Sequence, residues 1–414
     1  MQHAYGILRL VTPSLLTYHM RTLPPQDTID ACELLDKGVV ELLARKMGSA
    51  DTFLTNAEAR NQIFLPLQLG GLGFRAAHEL APLAYMASVA QISSILHPLS
   101  PGVVLSGLID AYNYVRDRKF KLPLIPDKAE QFVGFLAGQE EKKIGHLQRR
   151  FTAVWDNAFS SSLFTSLKDA GRARILSLRN RPAGLWLSTL PTFTSYALSN
   201  QQFQIALRLR LGLKQHPMLS DVCVCGESLA EDPSHFLGCQ RLAPRSVTRR
   251  HNSIVHTLAR LAREFGVEMH VEPRESRHMV DGKDRHPDLR SYRLNALVDV
   301  AIVHPCARTY VAGAAVVRGS AAKTRERDKH RKYDECAKRE GVPFYSFILE
   351  GFGLIGSEAV KYVDALISAE STHPSYITDP RQMRPYFMRT LAFALQRGNA
   401  GIVTEGLDLN LGRA

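Results

Sequence analysis

The spacing of apolar residues divides the chain into a helical first part and a mixed second part. Before residue 120 it predicts helices, as in residues 33–48, whose leucines and valines share one face. Residues 65–74 contain three glycines without a following Lys-Ser or Lys-Thr pair, which favours a tight turn over a phosphate loop. Residues 81–98 form the most apolar stretch but are too short and too interrupted to cross a bilayer, so we expect a buried helix.

From residue 248 the pattern alternates between helix and strand. An amphipathic helix comes first, with Ile254, Val255, Leu258 and Leu261 on its apolar face. There follow a short strand (267–274) and a hairpin rich in β-branched residues (286–305). A charged helix (325–341), a strand buried on both faces (342–350) and a final helix (357–369) come next. This α-β-β-β-α-β order predicts an α+β fold with a mixed sheet flanked by helices, similar to the core of restriction endonucleases.

The composition of the chain indicates an anionic partner. The formal net charge is +12, which favours nucleic acid as a partner, although a generic basic surface would give the same value. Arg208 and Arg210 alternate with leucines, where they either follow a nucleic-acid backbone or rim a leucine core. The N-terminus lacks the basic start and apolar run of a signal peptide, so we expect a nuclear or cytoplasmic protein without membrane or small-molecule partners.

Three of the six cysteines fall in one short window. Residues 223–239 read C-x-C-x9-H-x3-C, which gives Cys223, Cys225, His235 and Cys239 the spacing of a zinc knuckle. Thiolate and imidazole are ligands that Zn²⁺ prefers, and four of them complete a structural site with no open position. The alternative is a coincidence of buried cysteines. The other three cysteines, Cys32, Cys306 and Cys336, are scattered, and we expect them to be buried or inert.

Two carboxylates lie on the predicted hairpin. Asp288 follows Pro287 at the entry to a strand, and Asp299 lies in an apolar run, where an unpaired charge is costly. Mg²⁺ is a suitable partner for both, with the Val300 carbonyl as a further ligand, and a salt bridge from Asp299 to an arginine is the alternative. Glu272 either adds a third carboxylate or is an exposed strand residue. Such a site predicts metal-dependent phosphodiester cleavage.

Two lysines follow on the charged helix. Lys329 and Lys332 are three residues apart, so both can face one phosphate, unless this face of the helix is simply solvated. A catalytic lysine would offset the charge that develops in the transition state. We slightly prefer Lys332, because the ring of Tyr333 could pack into the sheet and hold its neighbour towards the cleft. Alternatively, Tyr333 braces the site by a hydrogen bond or only packs.

Basic residues also open the helix that starts at residue 248. Arg249, Arg250 and His251 fall in its first turn, where the positive end of the helix dipole suits a phosphate. The alternative is that this turn serves only to begin the helix, with Thr248 as its N-cap. On the first interpretation, these residues bind nucleic acid irrespective of its sequence.

Together these segments carry a family resemblance. The chain contains WLSTLP, FQIALRLRLGL, the Cys-Cys-His-Cys knuckle, RRHN, EPR, PD, VDV and K-x-x-K-Y in this order, after FLPLQLGGLGFRAAHELAPLAYMAS. Each motif is weak alone, but the ordered set is specific. By this set of motifs, the chain resembles the C-terminal part of the polyprotein of non-LTR retrotransposons that carry a restriction-enzyme-like endonuclease. The resemblance covers nearly the whole length of the chain.

The resemblance implies a Mg²⁺-dependent endonuclease that nicks target DNA to prime reverse transcription, with DNA and element RNA as partners. Many nucleases of this fold place the catalytic lysine two residues after the second carboxylate, where this chain has Ala301. The family pattern moves that lysine to Lys329 or Lys332. No Tyr-x-Asp-Asp polymerase motif is present, so we expect no DNA synthesis. The alternatives are a non-enzymatic nucleic-acid binder and a decayed relic of such an element.

The resemblance also implies a division of the chain into regions. We expect a thumb-like remnant of a reverse transcriptase (1–120), a helical linker (121–215) and the knuckle (216–245). A PD-(D/E)xK-type endonuclease domain (246–375) and a C-terminal tail (376–414) follow.

Overall fold

The chain folds into two compact units. They are seen in a computed structural model that describes residues 1–48, 50–96, 101–117, 146–370 and 380–412. The helical unit comprises Ala4–Pro66 and Gly71–Ser166, and the mixed unit comprises Met1–His3, Leu67–Gly70 and Leu167–Ala414. No helix within the described ranges combines the length and apolar character that crossing a bilayer requires.

The helical unit confirms the helices predicted for the first part of the chain, as far as the structure describes them. They are α1 (Gln2–Leu15), α2 (Thr17–Thr22), α3 (Pro25–Met47), α4 (Ala50–Thr55), α5 (Ala57–Ile63), α6 (Ala77–Leu96), α7 (Pro101–Asp117) and α8 (Leu147–Ser166). Phe151 and Trp155 of α8 pack with Leu83 and Met86 of α6 in its core. Residues 118–145, which include the first part of the predicted linker, lie outside the described residues.

The predicted glycine turn is also confirmed. A side-chain carbon at Gly71 would lie 2.0 Å from the Leu65 carbonyl oxygen, so only glycine fits this close backbone approach. Asp36 of α3 accepts hydrogen bonds from the backbone N–H groups of Ala77 (2.9 Å) and His78 (3.0 Å) at the start of α6. These bonds satisfy donors that have no partner within the helix.

The mixed unit combines helices with a small mixed sheet. Its helices are α9 (Asp169–Leu178), α10 (Leu185–Ser188), α11 (Asn200–Leu211), α12 (Thr248–Glu264), α13 (Val311–Ala314), α14 (Ser320–Glu340), α15 (Ser357–Glu370) and α16 (Pro380–Asn410). Its strands are β1 (Met269–Val271), β2 (His278–Val280), β3 (Lys283–Arg285), β4 (Leu289–Ser291), β5 (Ala296–Val303) and β6 (Phe344–Glu350). The predicted order of elements from α12 to α15 is therefore confirmed, with the β2–β3 hairpin and α13 as additions.

The strand order of the sheet is β1-β4-β5-β6. β4 pairs antiparallel with both β1 and β5, as the predicted hairpin requires, whereas β5 and β6 are parallel. A parallel pair needs a crossover connection, and α14 provides it. Since side chains alternate across a strand, β5 presents Val298 and Val300 to a core shared with α12 and α16, and Ala301 and Val303 to a core shared with α14.

Helix α16 corrects the prediction of a tail over residues 376–414. Residues 380–410 are helical, and Phe387, Leu391 and Leu395 are buried in the core that includes α12. Their spacing of four residues is that of a buried helix face, a signal that the sequence contained. The described end of the chain is thus part of the fold.

Candidate functional site

A turn after Leu219 brings the knuckle cysteines together. The Cys223 N–H donates to the Glu227 carbonyl (2.8 Å), and the Gly226 N–H donates to the Cys223 carbonyl (2.7 Å). Gly226 has a φ of 93°, a conformation that favours glycine. His235 then opens a single 3₁₀ turn, His235–Gly238, which Cys239 follows. A single helical turn therefore separates the last two ligands.

The four knuckle residues form a cluster that could hold a metal ion. One ligand atom from each of Cys223, Cys225, His235 and Cys239 lies within 4.8 Å of the others. The Cys225 Sγ lies 3.1 Å from the His235 Nε2, and the Cys223 and Cys239 sulfurs are 4.0 Å apart. Burial lowers the pKa of His235, so its imidazole is neutral as a ligand must be. Burial also raises the pKa of Cys239 to about 12, so a nearby cation is needed to favour the thiolate.

The two predicted carboxylates stand opposite each other on neighbouring strands. Leu289 of β4 pairs with Val298 of β5, so continuing this antiparallel register by one residue sets Asp288 opposite Asp299. Side chains opposite each other in an antiparallel pair share one face and lie close together. The Asp288 Oδ2 accepts a hydrogen bond from the Val300 N–H (2.7 Å), which fixes the first carboxylate at the edge of β5.

Each carboxylate has a cationic neighbour. The Lys329 Nζ forms an ion pair with the Asp299 Oδ2, and both side chains are buried. The His251 Nε2 lies 3.3 Å from the Asp288 Oδ2 and 3.1 Å from the Val300 carbonyl oxygen. The predicted alternative of an arginine partner for Asp299 does not hold, because its partner is a lysine.

These neighbours shift the pKa values of both carboxylates. Burial raises the pKa of Asp299, and the nearby charge of Asp288 adds to the rise, while Lys329 opposes it. Burial acts on Asp288 too, but the hydrogen bond and charge of His251 outweigh it, and the pKa of Asp288 is lowered. Burial lowers the pKa of His251, but its contacts with Asp288 raise it to about 9, so the imidazole is a cation at neutral pH.

The ring of Tyr333 lies near the ammonium groups of both predicted lysines. Its ring is buried and packs on Phe344, with ring centroids 5.3 Å apart. Its hydroxyl donates to the His286 carbonyl (3.0 Å) and accepts from the Lys332 Nζ (2.7 Å). Burial and the charge of Lys329 lower the pKa of Lys332. Lys329, and not the slightly preferred Lys332, is therefore the lysine in contact with a predicted metal ligand.

The site fits a hard divalent cation by the chemistry of its donors. Asp288 and Asp299 lie opposite each other, and Asp288 is bonded to the N–H of Val300, whose carbonyl offers a further oxygen; oxygen ligands of this kind suit Mg²⁺. Glu272 does not lie in a strand. It follows β1, is exposed and has a φ of 50°, although its N–H donates to the Asp288 carbonyl (2.8 Å). Glu272 is therefore exposed, as the predicted alternative has it, but it lies after the strand and not in it.

The prediction that Arg250 contacts nucleic acid is wrong. Arg250 is 2 % exposed and donates hydrogen bonds to the Asn399 Oδ1 (2.9 Å) and the Leu237 carbonyl (3.3 Å). The helix-dipole argument fails as well, because a π-helical segment, Ala243–Val247, runs directly into α12 and leaves no free helix end. Neighbouring Arg249 does face solvent, with its side chain 76 % exposed.

The remaining basic candidates and the N-cap alternative also change role. Arg208 and Arg210 are buried, and they donate to the carbonyl oxygens of Gln215 (2.6 Å) and Ala183 (2.9 Å). Because they are buried, they are not available to contact nucleic acid. Their hydrogen bonds instead hold loops against α11. The Thr248 hydroxyl donates to the Ala243 carbonyl (2.8 Å) and does not cap α12.

A second cluster of metal-ligand residue types was not predicted. Asp232, His304 and Cys306 bring one ligand atom each within 4.8 Å of the others. Cys306 is buried as expected, but it is not isolated from other potential ligands. The sequence signal was weak, because Asp232 lies far along the chain from the His-Pro-Cys segment that follows β5.

Comparison of the sequence with models of known protein families and with curated proteins finds no match. The assignment of a function to these sites therefore depends on their geometry and on the motifs of the sequence.

Proposed function

We propose that the mixed unit is a Mg²⁺-dependent DNA endonuclease with a restriction-endonuclease-like core, and that the chain derives from a non-LTR retrotransposon polyprotein. The observation that carries this proposal is the register that sets Asp288 opposite Asp299, with Lys329 against the second carboxylate. Two carboxylates and an ammonium group at one point are the minimal set for metal-assisted phosphodiester hydrolysis. The ordered motifs in the sequence point to the same class of enzyme.

Each group has a distinct role in this proposal. Asp288, Asp299 and the Val300 carbonyl would hold Mg²⁺, which when bound would polarise a phosphate oxygen and make a water more acidic. Lys329 orients Asp299 and offsets negative charge that develops on the phosphate. His251 positions Asp288 by its contact with the carboxylate. Lys332, on the ring of Tyr333, is a second cation for the same phosphate.

The knuckle supplies structure to this enzyme. Three thiolates and one imidazole favour Zn²⁺, and a four-ligand set leaves no position for a substrate. We assign DNA contacts to the exposed cations of the mixed unit, Arg249 among them. Binding should depend on salt and tolerate changes of sequence, because phosphates provide most of the attraction.

A plasmid-nicking assay tests the enzymatic proposal. The full chain should convert supercoiled plasmid to the nicked form in Mg²⁺ or Mn²⁺, and a chelator should stop it. Asp288→Ala should abolish nicking and preserve DNA binding, because it removes a metal ligand and no phosphate contact. Asp284→Ala is the matched control, since Asp284 is an exposed carboxylate on the nearby β3. Failure to cut plasmid, branched and single-strand-flanked DNA would exclude an endonuclease.

A non-enzymatic nucleic-acid binder is the second candidate. The observation that favours it is that both carboxylates already have cationic neighbours, His251 and Lys329. Such pairs can also serve as a structural ion-pair network. In that case Asp288→Ala would lower the stability of the fold, and no metal-dependent cleavage would be seen with the wild-type chain.

A further inference from the structure

Three segments of the mixed unit bring a second set of metal-ligand residue types together. Asp232 lies in the knuckle, between the second and third of its predicted ligands. His304 follows β5 directly, and Cys306 is two residues further on. One ligand atom of each lies within 4.8 Å of the other two, and the Asp232 Oδ2 is 2.6 Å from the His304 Nε2.

The side chains of this cluster are held in place. The Asp232 Oδ1 accepts hydrogen bonds from the Ser234 N–H (3.0 Å) and hydroxyl, which leaves Oδ2 for His304. A side-chain carbon at Gly238 would lie 3.2 Å from the His304 ring, so the glycine allows the knuckle to pack closely on the imidazole. Restrained ligands of this kind lose little entropy when an ion binds.

One ring nitrogen of His304 lacks a partner among the residues that the structure describes. His304 is 5 % exposed, and its Nδ1 is buried without a hydrogen bond there. The other ring nitrogen, Nε2, faces the Asp232 carboxylate and is the one that would bind the ion, so Nδ1 would carry the ring proton. The Cys306 Sγ lies 3.2 Å from the Ala170 carbonyl oxygen. A thiol is only a weak hydrogen-bond donor, so this contact leaves the sulfur available to a cation.

We propose that Asp232, His304 and Cys306 bind a second metal ion, distinct from the one in the knuckle. A carboxylate, an imidazole and a thiolate together favour Zn²⁺ over Mg²⁺ or Ca²⁺. The site differs from the knuckle because it has three protein ligands. It borders a cavity of about 560 Å³ that leaves room for a fourth, non-protein ligand such as water.

The ion requires a small rearrangement and has a structural consequence. Ligand distances of about 2.0 Å around Zn²⁺ place neighbouring O and N donors about 3.3 Å apart, so the Asp232–His304 hydrogen bond must open. The ion would then link the knuckle to the end of β5, because Asp232 belongs to the knuckle and His304 and Cys306 follow β5.

Metal content measured by mass spectrometry tests this inference. The full chain is saturated with Zn²⁺ and separated from free metal by gel filtration. We expect Cys306→Ala to bind one ion per chain fewer than the wild type. Cys336→Ala is the matched control, because Cys336 is a buried cysteine on α14 outside both clusters, and it should lose none. Equal metal content in Cys306→Ala and the wild type overturns the proposal.

A second variant guards against loss of folding. If circular dichroism shows that Cys306→Ala is unfolded, Asp232→Asn replaces it. Asparagine keeps the shape and the contact with Ser234 but removes the charge of the ligand. We again expect one ion fewer than in the wild type. Unchanged metal content would mean that Asp232 and His304 form only a hydrogen-bonded pair that fastens the knuckle.

Discussion

Two adjacent arginines on one helix should respond oppositely to substitution. Arg249 and Arg250 lie in the first turn of α12, and either could be read from the sequence as a phosphate contact. The Arg250 guanidinium is buried and bonded to Asn399 and Leu237, whereas the Arg249 side chain is 76 % exposed and lies 4.0 Å from Glu405. Arg250→Ala should therefore destabilise the mixed unit, and Arg249→Ala should not.

The magnitude follows from the groups that Arg250→Ala leaves behind. The Asn399 Oδ1 and the Leu237 carbonyl lose a donor, and an unsatisfied buried acceptor costs roughly 1–3 kcal/mol. The cavity left by the side chain adds to this cost, while relief of a buried charge offsets part of it. We expect a net loss of about 3 kcal/mol. In a unit of this size, that lowers the melting temperature by roughly 6–12 °C.

Thermal unfolding monitored by circular dichroism checks this expectation, with DNA binding measured below both melting temperatures. Arg249→Ala should change the free energy of unfolding by less than about 0.5 kcal/mol, as exposed substitutions usually do, and should weaken DNA binding. Folded Arg250→Ala should bind DNA like the wild type. If the two variants melt at the same temperature, the burial and bonding assigned to Arg250 are incorrect.

Three further predictions concern the knuckle, the helical unit and the lysines. Cys225→Ser should remove the knuckle metal and unfold this segment locally, because structural Zn²⁺ contributes on the order of 10 kcal/mol in small knuckles; retained metal content would contradict the assignment. Burial lowers the pKa of His78, but hydrogen bonds to Asp36 and a second carboxylate outweigh it and raise the pKa from 6.5 to about 9. Stabilisation by this pair is complete below pH 6.5 and is lost as the pH rises through 9, so the melting temperature of the helical unit should fall over that range, and His78→Gln should flatten the profile. Lys329→Ala should slow nicking by roughly a hundredfold or more and Lys332→Ala by less, since of these two lysines Lys329 is the one that forms an ion pair with Asp299; the opposite order in single-turnover rates would restore Lys332 as the principal lysine.

The sequence predicted elements well where periodicity determines burial. The apolar face of α12 is buried as expected, and the β4–β5 hairpin and the buried strand β6 occupy the predicted segments. The spacing of Cys223, Cys225, His235 and Cys239 predicted that these residues cluster, because all four are close in sequence. The predicted hairpin also placed Asp288 and Asp299 on neighbouring strands, because local sequence determines a hairpin.

Tertiary partners decided what the sequence could not. Arg208, Arg210 and Arg250 look like surface cations, yet backbone carbonyls and an asparagine from distant segments accept their hydrogen bonds. The contact of His251 with Asp288 depends on how α12 crosses the sheet. Long-range packing also determines the cluster of Asp232 with His304, so no local pattern marks it.

The rate of DNA nicking by Asp299→Asn tests the central claim most directly. The substitution keeps the size of the side chain and removes the charge that would hold the metal, so nicking in Mg²⁺ should fall by at least about a hundredfold while DNA affinity is retained. Glu350→Gln is the matched control, because Glu350 is a buried carboxylate on β6, four residues beyond the residue that pairs with Asp299. It should nick at the wild-type rate. Equal nicking by Asp299→Asn and the wild type, or none by the wild type, would contradict the proposal of an endonuclease.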